Sequence, residues 1–115
     1  MRRILLLDLQ DDADLIARYE AWHRLGAVPE AVVKSIRSAG ILAMDIHRSG
    51  NRLVMVMETG PGFDPQAKAA ADAADPEVQA WEELMSGFQQ ALPWAAPGEK
   101  WVAANRIFSL DEQGL

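Results

Sequence analysis

The chain opens with an apolar run, Ile4 to Leu7, that gives way within a few residues to an acidic stretch at Asp11, Asp12 and Asp14. A short apolar segment bounded by polar turn formers predicts a strand, here over residues 3–9. Asp11 or Asp12 then caps a helix, because a carboxylate accepts the orphan amide hydrogens of a helix start. Leu15, Tyr19 and Trp22 recur along it at helical spacing, and Gly26 suits its end. Pro29 and Glu30 form the first turn of a second helix, with Val32, Val33 and Ile36 inward and Gly40 closing it. "ILAMDIHR" and "NRLVMVMET" are two strands joined by the turn "SGN", a hairpin. "TGPGFDP" is a loop, broken by Gly and Pro. The Ala-rich "AKAAADAAD" has little to bury and predicts a surface helix or helical turn. From Pro76, the residues Val78, Trp81, Met85 and Phe88 recur at helical spacing; Pro93 ends that helix, and "KWVAANRIFSL" reads as a final strand.

No repeat and no linker divides the chain, so residues 1–115 are expected to form a single domain. The order is β-α-β-β-α-β with one extra helix after the first. That is the ferredoxin-like α+β arrangement, a four-stranded antiparallel sheet with helices on one face. The second strand of the hairpin adds a detail. Leu53, Met55 and Met57 point one way and Val54 and Val56 the other, so the strand is apolar on both faces. A sheet covered on one side only should be polar on its second face. A second copy of the chain is the simplest cover, and a homodimer built sheet against sheet, of the dimeric α/β-barrel type, is expected.

Composition narrows the function. Half the residues are apolar and 24% are charged, the balance of a soluble globular protein. A net charge of −6, without any cluster of Lys or Arg, argues against nucleic acid or an anionic membrane as partner. Asp8 cuts the apolar start too early for a signal peptide, and nothing approaches the length of a membrane span; a cytoplasmic protein is expected. With no cysteine there is no disulfide, thiol nucleophile or thiolate metal site. Phosphate-binding glycine loops, the nucleophile elbow and the H-E-x-x-H zinc motif are all missing. No cofactor and no metal are expected.

The chemistry must then come from ordinary side chains. Histidine is the one residue whose unperturbed pKa, about 6.5, lets it exchange a proton near neutrality. Only His23 and His47 are present. His23 lies one turn after Tyr19 within "YEAWH", on the face that carries Leu15, so a phenol and an imidazole should meet near the sheet. The plainer reading is a buried histidine with a backbone partner, or one half exposed at the helix end. His47 alternates with Asp45 and Ile41 on one strand face; a metal fragment or an acid–base pair is one reading, a polar patch at a dimer edge the other. Trp81 and its neighbour Glu82 belong to the late helix, and Trp81 would point into the same gap as Tyr19 and His23. Trp101 reads as core, and Trp94, in the loop before it, stays open between core and site.

The order of these features resembles the L-rhamnose mutarotase family. The shared elements are a first strand, Tyr-x-x-x-His on the first helix, Pro-Glu opening the next, a strand pair divided by "SGNRL", the "VQAWEELM" helix and a closing "RIFSL". The C-terminal half, "DPEVQAWEELMSGFQ", "GEKWV" and "RIFSL", looks closest to the members described as acting on L-fucose. The resemblance implies a small cofactor-free dimer that interconverts the α and β anomers of a 6-deoxy-hexose. It implies His23 as proton donor, Tyr19 as a sugar contact and Trp81 as a pocket wall. Glu82 stands where the family has a second tryptophan, and Met44 where it has a rhamnose-binding tyrosine. Val28-Pro29-Glu30 replaces the usual Trp-Pro-Glu. These departures fall in the sugar-contacting wall, so they bear on L-rhamnose as the substrate and not on mutarotation itself. Two other readings stand beside this one: a cofactor-free monooxygenase of the dimeric α/β-barrel type, and a non-catalytic ligand-binding or dimerisation module in which "YEAWH" only packs.

Overall fold

The computed structural model describes residues 1–114 and builds its sheet around the first strand. This strand, β1 (Arg2–Leu9), pairs antiparallel with β3 (Arg52–Thr59), from Arg2 opposite Glu58 to Asp8 opposite Arg52. β2 (Ile41–Ser49) lies on the far side of β3, joined to it by a tight turn whose Gly50 has φ 59°. The fourth position is shared. β4 (Gln89–Gln90) pairs with the end of β1 at Asp8 and Leu9, and β5 (Val102–Ala103) with its middle at Leu5 and Leu6. The order β2-β3-β1-β4, all antiparallel, is that of the expected ferredoxin-like α+β sheet.

Four helices complete the fold: α1 (Ala13–Trp22), α2 (Glu30–Ser38), α3 (Pro65–Ala73) and α4 (Pro76–Ser86). Asp12 caps α1 through a bond from the Leu15 amide at 3.0 Å; Asp64 and Asp75 cap α3 and α4 in the same way, each followed by a proline in the first turn. Two clusters fill the space between helices and sheet. Leu9, Tyr19, Leu53, Met85 and Phe88 form one; Ile41, Met55 and Met57 form the other, with Ile36, Met44 and Phe63 against it. Trp101 touches both.

The period-2 alternation holds along β3. Leu53, Met55, Met57 and Thr59 are buried beneath the helices, while Val54 and Val56 on the other face are only half-buried. Ile4 and Leu6 of β1 share that outer face, and Val102, opposite Leu6, extends it.

Four expectations change. The first helix stops at Trp22, with His23 as its cap, and Gly26 (φ 82°) ends the turn that follows instead. On β2, an irregularity between Ile41 and Ala43 turns Ile41 into the core beside Met44 and Ile46, away from Asp45 and His47. The late helix ends at Ser86, seven residues before Pro93. The amides of Gly87 and Phe88 bond back three residues to Leu84 and Met85, which tightens the last turn and swings Phe88 into the core. The final strand is two residues long, not eleven. Past Ala104, whose amide still bonds to the Ile4 carbonyl at 2.9 Å, the chain leaves the sheet, and Ile107 (97% exposed), Phe108 (65%) and Leu110 (75%) face outward. The Cα radius of gyration is 15.3 Å, above the roughly 13 Å of a compact domain of about this length.

Among the described residues, no helix is long and apolar enough to cross a membrane.

Candidate active site

The end of α1 and the placement of His23 have one cause. A continuing helix would give the Tyr19 carbonyl to the amide of residue 23. Here the His23 amide bonds to Glu20 at 3.0 Å, and the Tyr19 oxygen receives the His23 Nδ1 at 2.7 Å instead. A carbonyl only accepts, so Nδ1 carries the hydrogen, and the tautomer follows from the backbone. Nε2 has no hydrogen-bond partner among the described residues.

The aromatic residues of "YEAWH" assemble around that ring. Tyr19 lies 4.3 Å from the imidazole between ring centres, and Trp81 presents itself edge-on at 5.4 Å. Trp22 meets Trp81 in the same way at 6.2 Å. Tyr19 is 4% exposed and backed by Phe88. Burial pushes its phenol above the ordinary 10.0, only partly offset by the neighbouring Gln89 amide, so the hydroxyl is a neutral donor at any physiological pH.

His23 and Tyr19 form one side of a cavity of about 690 Å³ between helices and sheet. Met55, Met57 and Ile41 floor it, and Val32 and Ile36 of α2, Val78 and Trp81 of α4, and Trp101 line its sides. That volume lies in the range of small-molecule sites, and a mostly apolar wall with a few polar groups is their usual make-up. All five candidate residues line it: His23, Tyr19, Met44, Trp81 and Glu82. Glu82 is exposed, with an oxygen 3.3 Å from the Gln79 amide nitrogen. Met44 is half-buried on β2, beside the Met57 opposite it.

The other candidates separate. His47 is exposed and lines a smaller neighbouring cleft of about 380 Å³, together with Tyr19, His23 and the ion-paired Glu20 and Arg48. Asp45 borders the large cavity. Among the described residues, no group of three His, Asp or Glu gathers to hold a metal. Trp94 lies outside the cavity, its ring 5.2 Å from the guanidinium of Arg52. That guanidinium grips the buried Asp8 with two bonds of 2.8 and 3.1 Å, and the carboxylate raises its pKa. Five polar residues that sequence reasoning passed over also line the cavity: Lys68 and Asp72 of α3, and Ser35, Gln89 and Lys100. The signal for the first two was present, since they are the charged residues, four apart, in an otherwise alanine-rich run.

The chain matches the family model for L-rhamnose mutarotase over residues 2–110. It is 59% identical over 111 residues to a protein of Xanthomonas campestris pv. campestris described as an L-fucose mutarotase, covering 96% of this chain and 89% of that one. A UPF0734 protein of Dictyostelium discoideum is 32% identical over 91% of this chain and 86% of its own length. The crystal structure of an L-rhamnose mutarotase from Formosa agariphila superposes with a TM-score of 0.66 at 16% identity, covering 96% of this chain and 98% of that chain, which is agreement of fold. With the family model spanning nearly its whole length and a relative at this identity, the chain belongs to the L-rhamnose mutarotase family and is an isomerase of the sugar-mutarotase type.

Proposed function

We propose that the protein interconverts the α and β anomers of a 6-deoxy-hexose, L-fucose in preference to L-rhamnose, by acid–base opening and reclosure of the sugar ring. The observation that carries this reading is the fixed tautomer of His23. Its Nδ1 is committed to the Tyr19 carbonyl at 2.7 Å, which leaves Nε2 free to exchange a proton beside a cavity of sugar-admitting size.

The protonated imidazole gives the Nε2 hydrogen to the ring oxygen while a base takes the hydrogen of the anomeric hydroxyl. The bond from the anomeric carbon to the ring oxygen breaks, and the electrons left on the anomeric oxygen form the carbonyl. Rotation about the adjacent C–C bond presents the other carbonyl face, and the same steps in reverse close the ring. Atoms balance, and both protons return to their donors. Glu82, at the mouth beside Trp81, is the proposed base. The Tyr19 phenol serves as a hydroxyl contact, and Trp81 gives a flat apolar surface for the C–H side of the sugar. Met44 offers the 6-deoxy methyl an apolar neighbour.

The preference for L-fucose draws support from the relative at 59% identity and from Met44 and Glu82 in the sugar-contacting wall. The monooxygenase reading suits a uniformly apolar slot less polar than one lined by Lys68, Asp72, Glu82 and Gln89. The packing-module reading called for a sealed histidine. His23 has its backbone partner and is half-buried at the helix end, as the plainer reading has it, but a cavity opens beside it, which a packing module does not call for. A homodimer through the outer sheet face belongs to the same proposal, supported by the apolar Ile4, Leu6, Val54 and Val56 there and by the outward apolar tail.

Saturation-transfer NMR on equilibrated sugars tests it. Exchange between the anomeric signals should quicken with the protein, more for L-fucose than for L-rhamnose. Faster exchange of L-rhamnose would reverse the preference, and no enhancement of either would remove the reading.

A further inference from the structure

The inward side of α3 is made of charge alone. Of its nine residues, seven are exposed; the two that are not are Lys68 and Asp72. Their side chains are 21% and 13% exposed, they form an ion pair with each other, and both line the cavity. Helical energetics do not account for this pair. A lysine four residues before an aspartate is the weaker order for such a contact. The lysine also sits in the N-terminal half of α3 and the aspartate beside its C-terminus, each at the end that the helix dipole disfavours. Desolvating both charges adds a further cost that their mutual attraction does not reliably offset.

The oxygens of the site are also incompletely used. One Asp72 oxygen accepts from Lys68; the other, Oδ1, is buried without a hydrogen-bond partner. Gln89, beside Tyr19, has its Oε1 in the same condition. Among the described residues, buried side-chain polar atoms without a partner number three, and two of them belong to residues lining this cavity. A native fold leaves few such atoms, and each calls for a reason, a functional role among them.

We infer that the Lys68–Asp72 pair is the hydroxyl-reading element of the site, with Asp72 accepting from a ring hydroxyl of the sugar and Lys68 donating to one, in the cavity that also holds the proton-transfer group at the end of α1. The inference rests on the mutarotase reading and extends it, since it assigns sugar recognition to a helix outside the residues argued for chemistry. A carboxylate and an ammonium side by side match a polyol, which offers donors and acceptors on neighbouring carbons. Charge-assisted bonds to hydroxyls are the stronger kind, and a site built for them rejects an analogue lacking the hydroxyl. Gln89 supplies a further acceptor near the Tyr19 phenol.

The test uses the full chain with Asp72→Asn and the charge-free double variant Lys68→Met/Asp72→Asn. Anomer exchange is followed for L-fucose and for a series of analogues each lacking one ring hydroxyl. The charge-free double variant should fold with a Tm no lower than the parent, because the pair is a burden in the free protein, whereas Asp72→Asn alone leaves Lys68 unpaired and should lower the Tm while the protein stays folded. KM for L-fucose should rise about tenfold or more while kcat holds. For one analogue the variant and parent should be equal, which identifies the hydroxyl that Asp72 reads. Unchanged KM in folded variants overturns the inference. So does an equal penalty on every analogue, the mark of a merely structural role. If the parent enhances exchange of none of these sugars, the mutarotase reading falls, and the inference with it.

Discussion

His23 and Tyr19 are joined twice, once through their mutually tilted rings at 4.3 Å and once through the bond from Nδ1 to the Tyr19 carbonyl at 2.7 Å. The four-residue spacing made the first contact legible in the sequence. The second was not, because it depends on the helix ending at that residue, and helix ends are decided by which carbonyls lose their amides. Tyr19 offers a clean measurement, since it is the sole tyrosine. Its phenol is raised above 10.0 by burial, so in an alkaline titration tyrosinate absorbance should appear later in the folded protein than in the urea-unfolded chain. The sign for stability follows. Above about pH 10 the unfolded chain has lost a proton that the folded one keeps, so stability should fall as pH rises from there toward the folded pKa. Tyr19→Phe should flatten that decline in the urea midpoint. An unchanged slope would show that Tyr19 is less enclosed than its 4% exposure indicates.

Among the elements, α1 matters most for the site because its last turn presents Tyr19 and Trp22, and its cap is His23. Its start depends on the Asp12 carboxylate. Asp12→Ala should lower stability by about 1 kcal/mol, read as a reduced urea midpoint with unchanged slope, and leave sugar turnover near the parent value. At β3, Leu53 is 1% exposed, and Leu53→Ala should cost about 2–5 kcal/mol by the same measurement. The starts of α1 and α4 were legible, one from its acidic cap and the other from Pro76, whereas α3 begins at Pro65, inside the stretch that reads as a loop. The end of α4 was not. Val78, Met85 and Phe88 all enter the core, so the apolar period runs on past the point where the backbone has already turned. The inward face of α3 escaped for the opposite reason: it carries charge where periodicity looks for apolar residues.

The whole molecule is left with an apolar outer sheet face and an outward tail. Ile4, Leu6, Val54, Val56 and Val102 line the first, and Ile107, Phe108 and Leu110 the second. "RIFSL" reads as a strand because its residues suit one, but a strand needs a neighbour to bond to, and within the described residues of this chain it has none. The two-faced β3 was legible from alternation and the sheet arrangement from the order of elements; what covers the outer face is a matter between chains. The proposed homodimer predicts a solution mass of twice 12.7 kDa by light scattering, and Val56→Asp should return it to the single-chain mass. A parent protein already at 12.7 kDa would contradict it. The most direct measurement of the central claim is saturation transfer between the L-fucose anomeric signals, with the parent protein and His23→Asn compared at equal concentration. The parent should enhance exchange, and the variant should lose about 10²–10⁴-fold of that enhancement while remaining folded. Equal enhancement by both would contradict the assignment of proton transfer to His23.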